Sequence, residues 1–269
     1  MAEPYRDRAL VVRHHDLGEA DRIIVLLTRD HGIVRAVAKG VRRAKSRFGS
    51  RMSPFVDVDV QIHPGRGLHT VTGADTVATW AAPIVADYAR YTCACAALEA
   101  AERLISEEAA PNPALWELTR ATLARLAEPD ADPGLALTAH LLRAMAAAGW
   151  DPSLFDCAQC GRPGPHHAFS PAAGGAVCVR CRPPGAATPP TEVLRLMWWL
   201  RHGDAAAVAA AAARPGFGQL AAAARGLAAA HLQYHIGRRV GALALVEARW
   251  GEDRPGTATP APPPPGDPA

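Results

Sequence analysis

The sequence predicts an α+β chain of two parts, a five-stranded β-barrel followed by an α-helical domain with a small cysteine-bearing insert. Three observations carry that prediction. Five short β-rich runs crowd into the first 80 residues, the composition turns to Ala, Leu, Glu and Arg after Pro83, and two Cys-x-x-Cys pairs interrupt the helical part. The chain has 269 residues, 49% of them apolar and 20% charged, enough to bury a sizeable core. That length suits two small domains or one large one.

The strands come first. Residues 9–15 are β-rich, and residues 22–28 (RIIVLLT) form an apolar run that ends on the turn signal Asp30-His31-Gly32. Residues 33–38 alternate apolar with small or polar side chains. Residues 54–63 (PFVDVDVQIH) alternate strictly. Val56, Val58, Val60 and Ile62 face one way, and Asp57, Asp59 and Gln61 are expected on a solvated face. After a turn at 64–67, residues 68–80 make the fifth strand. Five short strands with a long basic connection between the third and fourth fit a barrel of the OB type. The strand count fits an SH3-like barrel about as well.

The helices follow. Residues 88–108 carry Tyr91, Cys95, Leu98, Ala101, Glu102 and Ile105 at helical spacing, and Pro111-Asn112-Pro113 breaks the segment. Residues 114–127 and 135–149 give two more helices, the second with Gly149 placed to stop it. Residues 150–190 are irregular and rich in Gly and Pro. Residues 191–202, 205–213 and 217–249 return to helical composition, and Gly226, Gly237 and Gly241 should bend or divide the last. Residues 253–269 are Pro-rich without periodicity and read as a disordered tail. The expected domains are therefore residues 1–80, residues 81–252 with an insert at 150–190, and the tail.

Charge is distributed unevenly. The net charge is only +3, yet residues 1–80 hold 13 Lys/Arg against 9 Asp/Glu, and the remainder is slightly acidic. Arg35, Lys39, Arg42, Arg43, Lys45, Arg47 and Arg51 fall within 17 residues, and no acid occurs between Asp30 and Asp57. A solvated loop can be basic by accident, but such faces usually mix signs. The run points to a surface for a polyanion, with nucleic acid the expected partner.

Cys157, Cys160, Cys178 and Cys181 form two CxxC pairs separated by 17 residues, the spacing of a zinc ribbon. Each pair can put two sulfurs on one metal, and two pairs close a tetrahedral shell. With no open position, the one zinc expected per chain is structural. The insert's few apolar residues, mainly Phe155, Phe169 and Val177, suggest that it does not fold without metal. His166 and His167 could replace a sulfur but are not needed. Cys93 and Cys95, two apart on a helix, do not share a face and are expected to be structural.

Several classes are not supported. No phosphate loop, GxGxxG, HExxH or GxSxG motif is present, so no catalytic residues are assigned. No stretch reads as a membrane span. The first seven residues contain no apolar leader, and six cysteines are too sparse for a disulfide scaffold. A cytoplasmic protein with reduced thiols is expected.

A basic barrel, an Ala/Leu helical body and a four-cysteine module, in that order, resemble the RecO family of bacterial recombination mediators. The closest local matches are residues 17–22 (LGEADR), 23–28 (IIVLLT), 38–46 (AKGVRRAKS) and Pro54-Phe55. The resemblance spans roughly residues 5–250. It implies an OB domain, a helical domain and a zinc element. It implies binding of single- and double-stranded DNA, annealing of complementary strands, and work at the nucleoid. It also implies partnership with RecR, loading of RecA onto DNA coated by single-stranded-DNA-binding protein, and contact with that protein's acidic C-terminal tail. DNA contact carries over to Arg35, Lys39, Arg42, Arg43, Lys45 and Arg47, with Arg51 closing the same run. One departure matters, because OB modules that hold single strands usually stack bases on aromatics. Only 6% of this chain is aromatic. Phe55 and Trp80 are expected in the core, and Phe48 is the candidate for stacking. A different reading of the same features is an RNA- or ribosome-associated OB/zinc-ribbon protein.

Overall fold

The structure is a computed structural model that describes residues 3–46, 48–105 and 111–252, the side chains of 249–252 excepted. The expected tail at 253–269, the end of the helix at 106–108, and Arg47 lie outside the described residues.

Strands β1 (Tyr5–Leu17), β2 (Asp21–Thr28), β3 (Gly32–Ala38), β4 (Val56–His63) and β5 (His69–Thr79) close into a barrel in the order β1-β2-β3-β5-β4. Only the β3–β5 pairing is parallel. This is the OB topology. The 13-residue β1 pairs with both β2 and β4, and its register shifts between Val11 and Arg13, which lets it bend around the barrel.

Both faces of the first strands are buried, which is why β2 reads as a continuous apolar run rather than an alternating one. Ala9, Val11, Ile24, Leu26, Val58 and Val60 fill the interior. Leu10, Val12, Val25 and Leu27 point outward into the core of the helical body. That second contact overturns one expectation. Asp57 is fully buried, not solvated, and takes two hydrogen bonds from the Arg8 guanidinium at 3.1 and 2.5 Å. The Arg8 guanidinium lies 5.6 Å from the Trp116 ring centroid, on a helix some 60 positions further along. Periodicity within β4 could not report a cover supplied from that distance.

The helical body comprises α1 (Ala81–Val85), α2 (Tyr88–Leu104), α3 (Pro113–Ala127), α4 (Pro133–Ala147), α5 (Thr191–His202), α6 (Ala205–Ala212), α7 (Phe217–Ile236) and α8 (Gly241–Glu252). Asp87, Asn112, Asp132 and Asp204 cap α2, α3, α4 and α6 by accepting from backbone N–H groups. α1 was not anticipated. The long C-terminal segment divides as expected, at Gly237, whose φ of 61° ends α7. The seam with the barrel is tied by Arg13 of β1, whose guanidinium donates at 2.9 and 2.7 Å to the buried Glu102 carboxylate of α2. Among the described residues no helix is long and apolar enough to cross a membrane.

Candidate nucleic-acid interface and metal centre

The connection from β3 to β4 carries the basic run, and its two ends are fixed differently. At its start, the Gly40 N–H donates to the Asp21 carboxylate at 2.7 Å, and the Arg42 N–H donates to the Ala20 carbonyl at 3.0 Å. These bonds clamp the loop to the β1–β2 turn. Tight turns follow, with Arg43 N–H to Gly40 O at 3.1 Å and Ser46 N–H to Arg43 O at 2.9 Å. At its end, a short 3₁₀ helix (Gly49–Met52) sends Met52 into the barrel interior, and Phe48 goes in with it.

Phe48 therefore does not offer a ring to a base. It is 2% exposed and packs with the strand side chains as the barrel's plug. Burying a ring of that size stabilises the barrel with or without a bound strand. The loop is held by its apolar end, which leaves its cations at the surface. Lys39, Arg43 and Lys45 are exposed, and among the described residues no carboxylate lies within ion-pair distance of them. Arg51 is exposed at the end of the 3₁₀ helix. Arg42 is exposed but engaged, donating to Gly18 O at 3.0 Å and lying 3.5 Å from Asp16. The hydrogen bond from Arg22 to Asp16 holds that carboxyl below its usual range. Arg35 sits apart from the loop, 4.0 Å from Glu102 across the seam.

The second site is the cysteine module, and its geometry is closed. The four Sγ atoms of Cys157, Cys160, Cys178 and Cys181 all lie within 4.8 Å of one another. Cys160 and Cys178 are 3.8 Å apart, close to the ~3.8 Å edge of a tetrahedron with ~2.3 Å metal–sulfur arms. Backbone turns build each half. Gly161, at φ 67°, lets the chain reverse so that its N–H reaches Cys157 O at 2.8 Å. Cys181 N–H reaches Cys178 O at 3.1 Å.

An N–H from Cys178 at 3.4 Å donates to the Cys157 sulfur, and such bonds draw the Cys157 thiol down to about 6. Hydrogen bonding with Cys160, and then Cys178, pushes the Cys181 thiol up to about 12. Sulfurs crowded this closely compete for protons, and a dication in their midst would remove that conflict. The donor set thus fits a structural zinc. Neither histidine joins it: His166 is bonded to Arg162 O and His167 to Thr191.

The module also has structure that its composition did not reveal. Strands β6 (Ala168–Ser170) and β7 (Gly175–Val177) form a small hairpin. Gly175 has no room for a side chain, since a Cβ would meet Ser153 O at 2.3 Å. Phe169 is fully buried and packs edge-on against His231 of α7, which docks the module on the body. Phe155, one of the insert's few apolar residues, is half exposed.

Sequence reasoning missed the ionic groups of the seam, Arg8–Asp57 and Arg13–Glu102. Their only signal was a carboxylate at an apolar-looking helical position, Glu102.

Comparison with known families gives two matches. The model described as Recombination protein O N terminal matches residues 1–80, and the one described as Recombination protein O C terminal matches residues 85–244.

Proposed function

The chain belongs to the recombination protein O family, whose members are mediators in DNA repair and recombination, and from that premise we propose how its loop and body share the work. The barrel of residues 1–80 binds single- and double-stranded DNA through the loop at 39–51. Residues 81–252, with the insert at 150–190, form the body that meets protein partners. The observation that carries this reading is the set of exposed cations, Lys39, Arg43 and Lys45, with no carboxylate within ion-pair distance among the described residues.

Arg35, Lys39, Arg42, Arg43, Lys45, Arg47 and Arg51 neutralise phosphates on two strands at once. That lowers the mutual repulsion of the strands and lets complementary sequences pair. Because Phe48 is a plug, affinity is electrostatic rather than stacking-based. With RecR, the chain helps load RecA onto DNA coated by single-stranded-DNA-binding protein, whose acidic tail it contacts. It works in the cytoplasm at the nucleoid, and it is not an enzyme.

Cys157, Cys160, Cys178 and Cys181 hold one structural zinc per chain. The metal supplies a cross-link that closes the module and leaves no position for substrate.

Strand annealing tests the reading. The protein should speed pairing of complementary oligonucleotides, naked or coated, and the Arg42→Glu/Arg43→Glu/Lys45→Glu variant should not. Preferential competition by single-stranded RNA would favour an RNA-associated role instead.

A further inference from the structure

We propose that a nucleic-acid strand held by the barrel loop continues across the seam onto the turn between α7 and α8, where Arg238 and Arg239 take its phosphates. This extends the DNA-binding reading above and rests on it.

The turn exists because Gly237 adopts a left-handed conformation and stops α7. Arg238 and Arg239 follow, both exposed, and no carboxylate lies within ion-pair distance of either among the described residues. Their place in the fold is fixed by Glu99 of α2, which accepts the Gly241 and Ala242 N–H groups at 3.1 and 3.0 Å and so caps α8. Glu102 lies three positions along α2, on the same face, about 5–6 Å away between Cβ atoms. That is the carboxylate gripped by Arg13 of the barrel and approached by Arg35. The α7–α8 turn and the outer edge of β3 are thus neighbours along one side of α2.

The two acids on this path do not oppose an anion. Glu102 is buried and neutralised by Arg13, and Glu99 is occupied by two backbone N–H groups with Arg103 at 3.6 Å. Arg13, Arg35, Arg103, Arg238 and Arg239 set five cations against those two carboxylates.

The path is continuous with the loop. Lys39 lies four residues beyond Arg35 along β3, about 13 Å at ~3.3 Å per residue. The seam and the α7–α8 turn lie beyond that, so a strand must run past the loop to reach Arg238 and Arg239. A loop alone would hold only a short stretch of a strand. A longer track fixes its direction, which a protein that pairs two strands needs.

The test compares the salt dependence of binding for oligothymidylates of about six and about forty nucleotides, the short one near the lower bound for a single OB site. For the long strand, Arg238→Ser/Arg239→Ser should reduce the slope of log K against log salt by about 1.4 and weaken binding roughly 25-fold at 0.1 M salt. For the short strand it should change neither. Arg238→Lys/Arg239→Lys should keep the long-strand slope, since a point charge suffices for phosphate. An unchanged long-strand slope, with loop-dependent binding intact, overturns this inference alone. An equal loss on both lengths overturns it too, because the turn would then not be a separate part of the track. Failure of the loop variant to affect either length overturns the parent reading.

Discussion

The basic loop and the cysteine module are both long irregular connections, and they solve the same problem in opposite ways. Each must hold a non-repetitive backbone without a core of its own. The loop borrows the barrel's core, driving Phe48 and Met52 into it and clamping Gly40 and Arg42 to the β1–β2 turn. The module brings four sulfurs to one point, with a hairpin of two three-residue strands and with Leu154, Phe169 and Ala176 reaching into the body's core. The difference teaches where each element can spend its polar groups. Borrowed apolar anchoring leaves the loop's cations exposed. The module's most reactive groups are turned inward and consumed by closure.

The largest effect should come from breaking closure. Chelation, or Cys157→Ser, should unfold the module and lower thermal stability by several kcal/mol. Proteolysis between residues 150 and 190 reads the outcome, as does zinc content falling from one equivalent per chain. The barrel should survive this treatment.

Phe48→Ala should come next. Removing the plug costs about 3–5 kcal/mol in urea denaturation and should loosen the loop while leaving zinc content unchanged. A Phe48→Leu variant should restore most of that stability.

Acid should act on neither region first but on the body that carries both. His140 is buried between the Thr122 hydroxyl and Ala97 O, and burial pushes its imidazole down to about 4. The unfolded chain therefore binds this proton more readily than the folded one. Stability is full above about pH 6.5 and falls towards pH 4, by roughly 3 kcal/mol for this group. His140→Gln should reduce the dependence across that window without abolishing it, because burial also pushes the His231 imidazole down to about 4.

The smallest effect on stability should be that of Arg42→Glu/Arg43→Glu/Lys45→Glu, within about 0.5–1 kcal/mol, because among the described residues only Arg42 of the three has side-chain partners. A large destabilisation would mean that the loop's charges are structural, and the contrast with the module would collapse.

Much of this was legible in the sequence because it was local. Val56, Val58, Val60 and Ile62 announce a half-buried strand, and they are buried. The Cys-x-x-Cys spacing announces a four-sulfur cluster, and the sulfurs converge. What was not legible depends on distant segments. Nothing around Phe48 in a run of arginines and small residues signals that a barrel end will close over it. Asp57 reads as solvated until α3 brings Trp116 to cover its partner Arg8. Arg238 and Arg239 look like any exposed pair until Glu99, some 140 positions earlier, fixes the turn against α2.

The proposed hold on nucleic acid by the exposed charges of the loop, and not by an aromatic platform, is tested most directly by titrating a fluorescent single strand against the full chain over a range of salt concentrations. With four to six phosphates contacted, log K should fall against log salt with a slope of about −3 to −4, and the triple glutamate variant should lose most of that slope. A slope near zero, or an affinity unchanged in the variant, would contradict it.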